Sequence, residues 1–143
     1  MGTAIVNHAG QCTADLAAAQ RFYVELLGFE VERELVLPDE VTGPFLGVAA
    51  PVGLRAVYLR LGSFVLELME FGRPGNPPHA DRVFNEPGLT HLSISVDDLA
   101  GTVARVVELG GEIVTDLPVA SIVRDPDGQL LELLPMAYRE RLG

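Results

Sequence analysis

Two histidines and two glutamates recur in an order that could hold a metal ion: His8 then Glu67, His91 then Glu132. Glu67 sits at the centre of FVLELMEF (64–71) and Glu132 within QLLELL (129–134), runs that otherwise read as buried strand. A lone carboxylate buried in such a run costs several kcal/mol, so it shifts its pKa, pairs, or binds a cation. Two imidazoles and two carboxylates suit one divalent ion. The set is roughly charge-neutral and leaves positions open for water or substrate. Taken singly, each residue has a blander reading. A strand histidine is more often packed or at the surface than a ligand, and a strand glutamate usually faces solvent or pairs with an arginine such as Arg60 or Arg124. Those readings lose force because both residue types recur at matched positions.

The matching comes from an internal repeat. HAGQCTADLAAAQRFYVELLG (8–28) aligns without a gap on HLSISVDDLAGTVARVVELGG (91–111). His8 falls on His91, Asp15 on Asp98, Leu16 on Leu99, Ala17 on Ala100, Glu25 on Glu108, Leu26 on Leu109 and Gly28 on Gly111. LEL then appears downstream in each copy, at 66–68 and 131–133, and the second copy is shorter between its helix and its last strand. The chain therefore reads as one domain of 1–143, with module one at 3–71, a linker at 72–88 and module two at 89–135.

Each module predicts the same elements. A strand (TAIVNHAG, LTHLSISV) leads to a helix with Asp15 or Asp98 as N-cap and Gly28 or Gly110-Gly111 as its stop. Leu16, Ala19, Phe22, Tyr23, Leu26 and Leu27 mark the buried face of the first helix; Leu99, Val103, Val106 and Val107 mark that of the second. Three strands follow: FEVEREL, LRAVYLRL and FVLELMEF, then EIVTD, VASIV and QLLELL, with turns at LGS (61–63) and RDPDGQ (124–129). Side chains alternate along a strand, so the helix-packed face separates from the face carrying His8, Glu67, His91 and Glu132. The expected fold is α+β: two tandem βαβββ modules forming a curved mixed sheet with helices outside and a metal or ligand cup inside. VLPDEVTGPFLGVAAPVG (36–53) is a Pro/Gly-rich insertion without a counterpart in module two, read as a loop that could act as a lid or set specificity.

Composition narrows the function. Net charge is −10, every basic residue is arginine, and no basic cluster stands out, which argues against nucleic acid or anionic membrane as partner. Cys12 is the only cysteine, so neither an intrachain disulfide nor a thiolate metal cluster is expected; it reads as a small buried residue. Asp125 and Asp127 read as turn formers and His79 as a surface residue. The N-terminus carries no signal-peptide pattern, Val6 stands where a myristoylation signal needs Ser or Thr, and a cytoplasmic location is the expectation.

Taken together, H-x-x-x-x-x-x-D-L from His8, F-Y-x-x-x-L-G-F from Phe22, V-L-E-L from Val65, H-L-S-I-S-V-D-D-L from His91 and R-D-P-D-G-x-x-L-E-L from Arg124 resemble the vicinal oxygen chelate superfamily. That superfamily includes glyoxalase I, methylmalonyl-CoA epimerase, extradiol dioxygenases, fosfomycin-modifying enzymes and bleomycin-binding resistance proteins. The resemblance covers nearly the whole chain. It implies that His8, Glu67, His91 and Glu132 occupy the metal-ligand positions of the glyoxalase I and epimerase branches.

The resemblance also implies a function: a divalent-metal-dependent lyase or isomerase acting on a small carbonyl compound through a metal-stabilised enediolate. Glu132 or Glu67 would be the base, and Val65, Met69, Ser93, Leu130 and Leu134 would contact substrate. One ion is expected per site, with Ni, Co, Zn, Mn and Fe undistinguished, in a homodimer. Arg21, Arg33, Arg55 and Arg60 are the cations open to a glutathione-bearing substrate. The alternatives are a small-molecule-binding resistance protein of the bleomycin type and an extradiol-type ring-cleaving dioxygenase. VASIVR lacks the tyrosine such a dioxygenase would use, LRAVYLRL lacks the epimerase's extra acid, and Thr90 stands before His91 where an epimerase has a second histidine.

Overall fold

In the computed structural model the strands of each module hydrogen-bond into a separate four-stranded mixed sheet. The structure describes residues 2–74, 76–77 and 80–142, with side chains in the last helix up to 139. His79, read as a surface residue, lies outside the described residues. Module one contains β1 (Ala9–Cys12), α1 (Leu16–Arg21), β2 (Glu30–Val36), α2 (Asp39–Leu46), β3 (Leu54–Leu61) and β4 (Phe64–Phe71), in the sheet order β1-β4-β3-β2. Module two contains β5 (His91–Val96), α3 (Leu99–Arg105), β6 (Glu112–Leu117), β7 (Ala120–Arg124) and β8 (Leu130–Pro135), in the order β5-β8-β7-β6. α4 (Met136–Leu142) closes the chain. Among the described residues, no helix is long and apolar enough to cross a membrane.

The two sheets share their wiring. The first strand of each runs parallel to the last, Gly10 opposite Glu67 and Ser93 opposite Glu132. The last two strands of each are antiparallel, Tyr58 opposite Glu67 and Ile122 opposite Glu132. Both second strands carry a bulge, between Val31 and Arg33 and between Ile113 and Thr115. Leu66, Leu68, Leu131 and Leu133 are buried on the faces opposite the glutamates. Each such side chain contributes about 1.5–3 kcal/mol, and a one-residue slip would exchange the two faces, so the leucines lock the register.

The chain forms two compact units. One holds residues 1–20 and 28–77; the other holds 21–27 and 78–143. The division runs through the first helix, which continues past α1 as a π-helical turn, Phe22–Leu26. In the second unit Phe22, Tyr23 and Leu26 are buried, and the Tyr23 hydroxyl donates to Asp125 Oδ2 at 2.8 Å. Asp125 also forms its turn, accepting at Oδ1 from the amides of Asp127 and Gln129.

Asp15 and Asp98 cap their helices by accepting from Ala18 N and Gly101 N. The helix stops differ in detail. Gly28 takes a left-handed φ of +76° with open space around it. In module two Gly110 takes that conformation (φ +91°), while a Cβ on Gly111 would stand 2.5 Å from Arg124 O and 2.8 Å from the Phe22 ring.

Several expectations need correction. The first strand begins at Ala9, where pairing with β4 starts, and Ile5 and Val6 ahead of it are 82% and 90% exposed. Val107 is exposed and Leu109 buried, because α3 ends at Arg105 and the turn after it changes the register. The 36–53 insertion is not a bare loop. It folds as α2, ended by Gly47 in the left-handed region, and Asp39 accepts from Val52 N and Gly53 N. Those two amides hold the Asp39 carboxyl below the usual aspartate range, Gly53 having the larger effect. Cys12 is exposed at the open end of β1 rather than buried.

Candidate metal centre

In the first unit His8 and Glu67 meet. His8 Nε2 lies 3.0 Å from Glu67 Oε2, with side chains 36% and 13% exposed. Glu67 is turned to this face by strand alternation, with Leu66 and Leu68 pointing the other way. Its second oxygen is also held: Tyr58, directly across on β3, donates its hydroxyl to Oε1 at 2.9 Å. The His8 and Tyr58 rings pack nearly perpendicular, centroids 5.3 Å apart and planes at 84°. The Arg33 guanidinium carbon lies 4.9 Å from the Tyr58 ring centre. Burial, then the hydrogen bond to Glu67 and its negative charge, push the Tyr58 phenol above its ordinary range, so Tyr58 remains a donor at neutral pH.

In the second unit His91 and Glu132 lie on one face of neighbouring parallel strands. His91 is opposite Leu130 and Ser93 is opposite Glu132, a diagonal step away. Ser93 Oγ donates to Glu132 Oε1 at 2.7 Å. His91 Nδ1 lies 2.7 Å from Thr90 Oγ1, and Phe84 packs on the ring with centroids 5.0 Å apart. In the tautomer whose Nδ1–H donates to Thr90, Nε2 is the nitrogen left to offer a lone pair, the arrangement that orients metal-bound histidines.

These donors suit a divalent cation. Ligand atoms each about 2.1 Å from a metal and about 90° apart stand about 3 Å from each other, and His8 Nε2 and Glu67 Oε2 are 3.0 Å apart. Among the described residues no three His, Cys, Asp or Glu side chains form a ligand group; the first unit supplies one joined pair.

Arg60 and Arg124, the two arginines read as possible partners, pair with neither Glu67 nor Glu132. Arg60 pairs with Glu32, while Arg124 lies 3.8 Å from Glu112 and donates to the carbonyls of Arg82 and Gly128. Of the cations open to an anionic substrate, Arg21 pairs with Glu25, Arg55 with Glu70 and Arg60 with Glu32, whereas Arg33 stacks on Tyr58.

Val65 and Met69 flank Glu67 on its strand, as Leu130 and Leu134 flank Glu132; Val65, Leu130 and Leu134 are buried. A cavity of about 330 Å³ in the first unit opens elsewhere. Leu16, Ala17 and Gln20 line it with Glu34, Val36, Arg55 and Val57, on the sheet face opposite Glu67. Sequence reading missed Tyr58, Arg33 and Phe84 as neighbours of the donors. Alternation alone could have flagged Tyr58 once the β3–β4 register was known.

Known proteins agree with this architecture. The model of the Glyoxalase/Bleomycin resistance protein/Dioxygenase superfamily matches residues 5–133. The chain is 29% identical over 136 residues to the Arabidopsis thaliana protein named "Probable lactoylglutathione lyase, chloroplastic", covering 89% of this chain but only 34% of that protein. It is 29% identical over 139 residues to the uncharacterized protein YaeR of Escherichia coli strain K12, covering 93% of this chain and 97% of that one. A glyoxalase family protein from Bacillus cereus superposes with a TM-score of 0.82 at 19% identity, over 94% of this chain and 95% of its own. With two βαβββ modules and a family match across almost its full length, the chain belongs to the Glyoxalase/Bleomycin resistance protein/Dioxygenase superfamily.

Proposed function

We propose that the protein is a divalent-metal-dependent lyase or isomerase that moves a proton beside a carbonyl of a small substrate. His8, Glu67, His91 and Glu132 are the ligands. The observation that carries this reading is the His8–Glu67 pair, at the spacing of two adjacent ligands and repeated in sequence by His91 and Glu132. When bound, the cation supplies Lewis-acid stabilisation of negative charge on adjacent substrate oxygens. The lyase arm draws support from the name of the Arabidopsis relative.

The two carboxylates differ in what engages them. Tyr58 holds one Glu67 oxygen and His8 faces the other, whereas among the described residues Glu132 has one partner, Ser93. Glu132 is therefore assigned as the base that takes the α-proton, and Glu67 as a fixed ligand. Val65, Met69, Leu130 and Leu134 wall the reacting centre against water, and Ser93 lies within reach of substrate. The working form is a homodimer, to be checked by sedimentation velocity.

Metal analysis of protein purified without chelator tests the reading. About one divalent ion per site is expected, with loss of that ion in His91→Ala and Glu132→Gln. The active protein should also exchange a substrate α-proton with D₂O. Protein that carries no metal and binds none on titration would end the catalytic reading.

A further inference from the structure

Resting on that reading, we propose that Tyr58 is the positioning residue of the first-unit half-site. It clamps one oxygen of Glu67 so that the other is presented, with His8 Nε2, to the cation.

Tyr58 reaches both donors at once. Its hydroxyl donates to Glu67 Oε1 at 2.9 Å, and its ring centroid lies 5.3 Å from that of His8. The ring is itself braced. In regular pairing Arg33 would fall on the same face as Val31, which is opposite Leu59. The bulge after Val31 instead sets Arg33 opposite Tyr58, and its guanidinium lies over the ring at 4.9 Å. A ring packed by a guanidinium and by an imidazole nearly perpendicular to it has little freedom to swing, so its hydroxyl fixes the carboxylate's rotation. Glu67 then has one oxygen accepting from Tyr58 and one facing His8, which makes it a one-oxygen ligand with a set orientation.

The matched position in module two lacks this device. Ile122 stands opposite Glu132, where Tyr58 stands opposite Glu67. There the hydroxyl comes from the other side, from Ser93 on β5, where module one has Gly10.

The test is Co(II) titration of the full chain, followed by its visible absorption, for wild type, Tyr58→Phe, Glu67→Gln and the double variant. Tyr58→Phe keeps the ring and removes only the hydroxyl. Its Co(II) affinity should fall by about 10-fold, the low end for losing a partner that orients a ligand, with an altered Co(II) spectrum and an unchanged metal-free far-UV spectrum. The double variant should bind no more weakly than Glu67→Gln alone, because Tyr58 acts through Glu67. Tyr58→Phe matching wild type in affinity and spectrum overturns the proposal while leaving the metal site standing. Additional loss in the double variant also overturns it. Wild type that binds no Co(II) overturns the functional reading and this one with it.

Discussion

The two halves of the repeat carry the same pair of residue types, a His at or just before the first strand and a Glu on the last, but support them from opposite sides. In the first, Glu67 is held by a braced phenol from the neighbouring antiparallel strand and by His8, and little of it is exposed. In the second, Glu132 is held by a small hydroxyl from the neighbouring parallel strand, while Thr90 and Phe84 orient His91. One half is built for rigidity; in the other, one Glu132 oxygen has no partner among the described residues. The repeated frame thus places a His and a Glu in each half but surrounds them differently, because the residues across the sheet from Glu67 and Glu132 differ, Tyr58 in one and Ile122 in the other.

The largest expected effect tests whether both halves bind the metal at all. Glu67→Gln and Glu132→Gln should each weaken metal binding by more than about 100-fold, beyond the range for residues that only orient a ligand; isothermal titration would show it. If only one variant lost affinity, the metal would belong to a single half.

A second contrast concerns the helix stops. Gly111→Ala should destabilise by about 3 kcal/mol, the upper end for overpacking, since its Cβ would strike the Arg124 carbonyl and the Phe22 ring. Gly28→Ala, with open space around it, should cost only about 1 kcal/mol for its left-handed backbone. Urea midpoints of the two variants decide; equal losses would show that the matched glycines do the same job.

Next come the hydroxyls. Ser93→Ala should reduce metal affinity less than the roughly 10-fold expected of Tyr58→Phe, because Ser93 is exposed and unbraced. Slowed proton exchange with metal affinity intact in Ser93→Ala would strengthen the assignment of Glu132 as base. The reverse ranking of the two variants would dissolve the contrast between the halves.

The smallest effect is confined to α2, which module two lacks. Asp39 has a folded pKa held below its ordinary value of about 4 by the amides of Gly53 and Val52. The bond therefore steadies the insertion above that ordinary value and is lost as pH falls through the folded pKa. Hydrogen exchange at Val52 and Gly53 should speed up on acidification beyond its intrinsic pH dependence. In Asp39→Asn that excess should disappear.

Much of the fold was legible because its signals are local. The caps at Asp15 and Asp98, the stop at Gly28 and the DPDG turn at 125–128 depend on residues within a few positions of each other. The insertion's helix is not legible locally because it contains a glycine and a proline, Gly43 and Pro44, which argue against helix. It forms with Asp39 tying its start to the amides of Val52 and Gly53, a contact between residues far apart in sequence. The exposure of Cys12 is not legible either, because burial depends on what packs over the end of β1.

The sequence by itself determined the two modules, their helix-facing and open faces, and the choice of His8, Glu67, His91 and Glu132 as ligand candidates. Alternation and repetition are properties of the chain alone. Tertiary structure decided which neighbours serve those ligands: Tyr58 for Glu67, Ser93 for Glu132, Phe84 for His91, and a bulge that turns Arg33 onto the Tyr58 ring. The physical reason is that cross-strand partners are set by register, and register is chosen by the summed burial of the whole sheet, with no local signal at the residues it brings together.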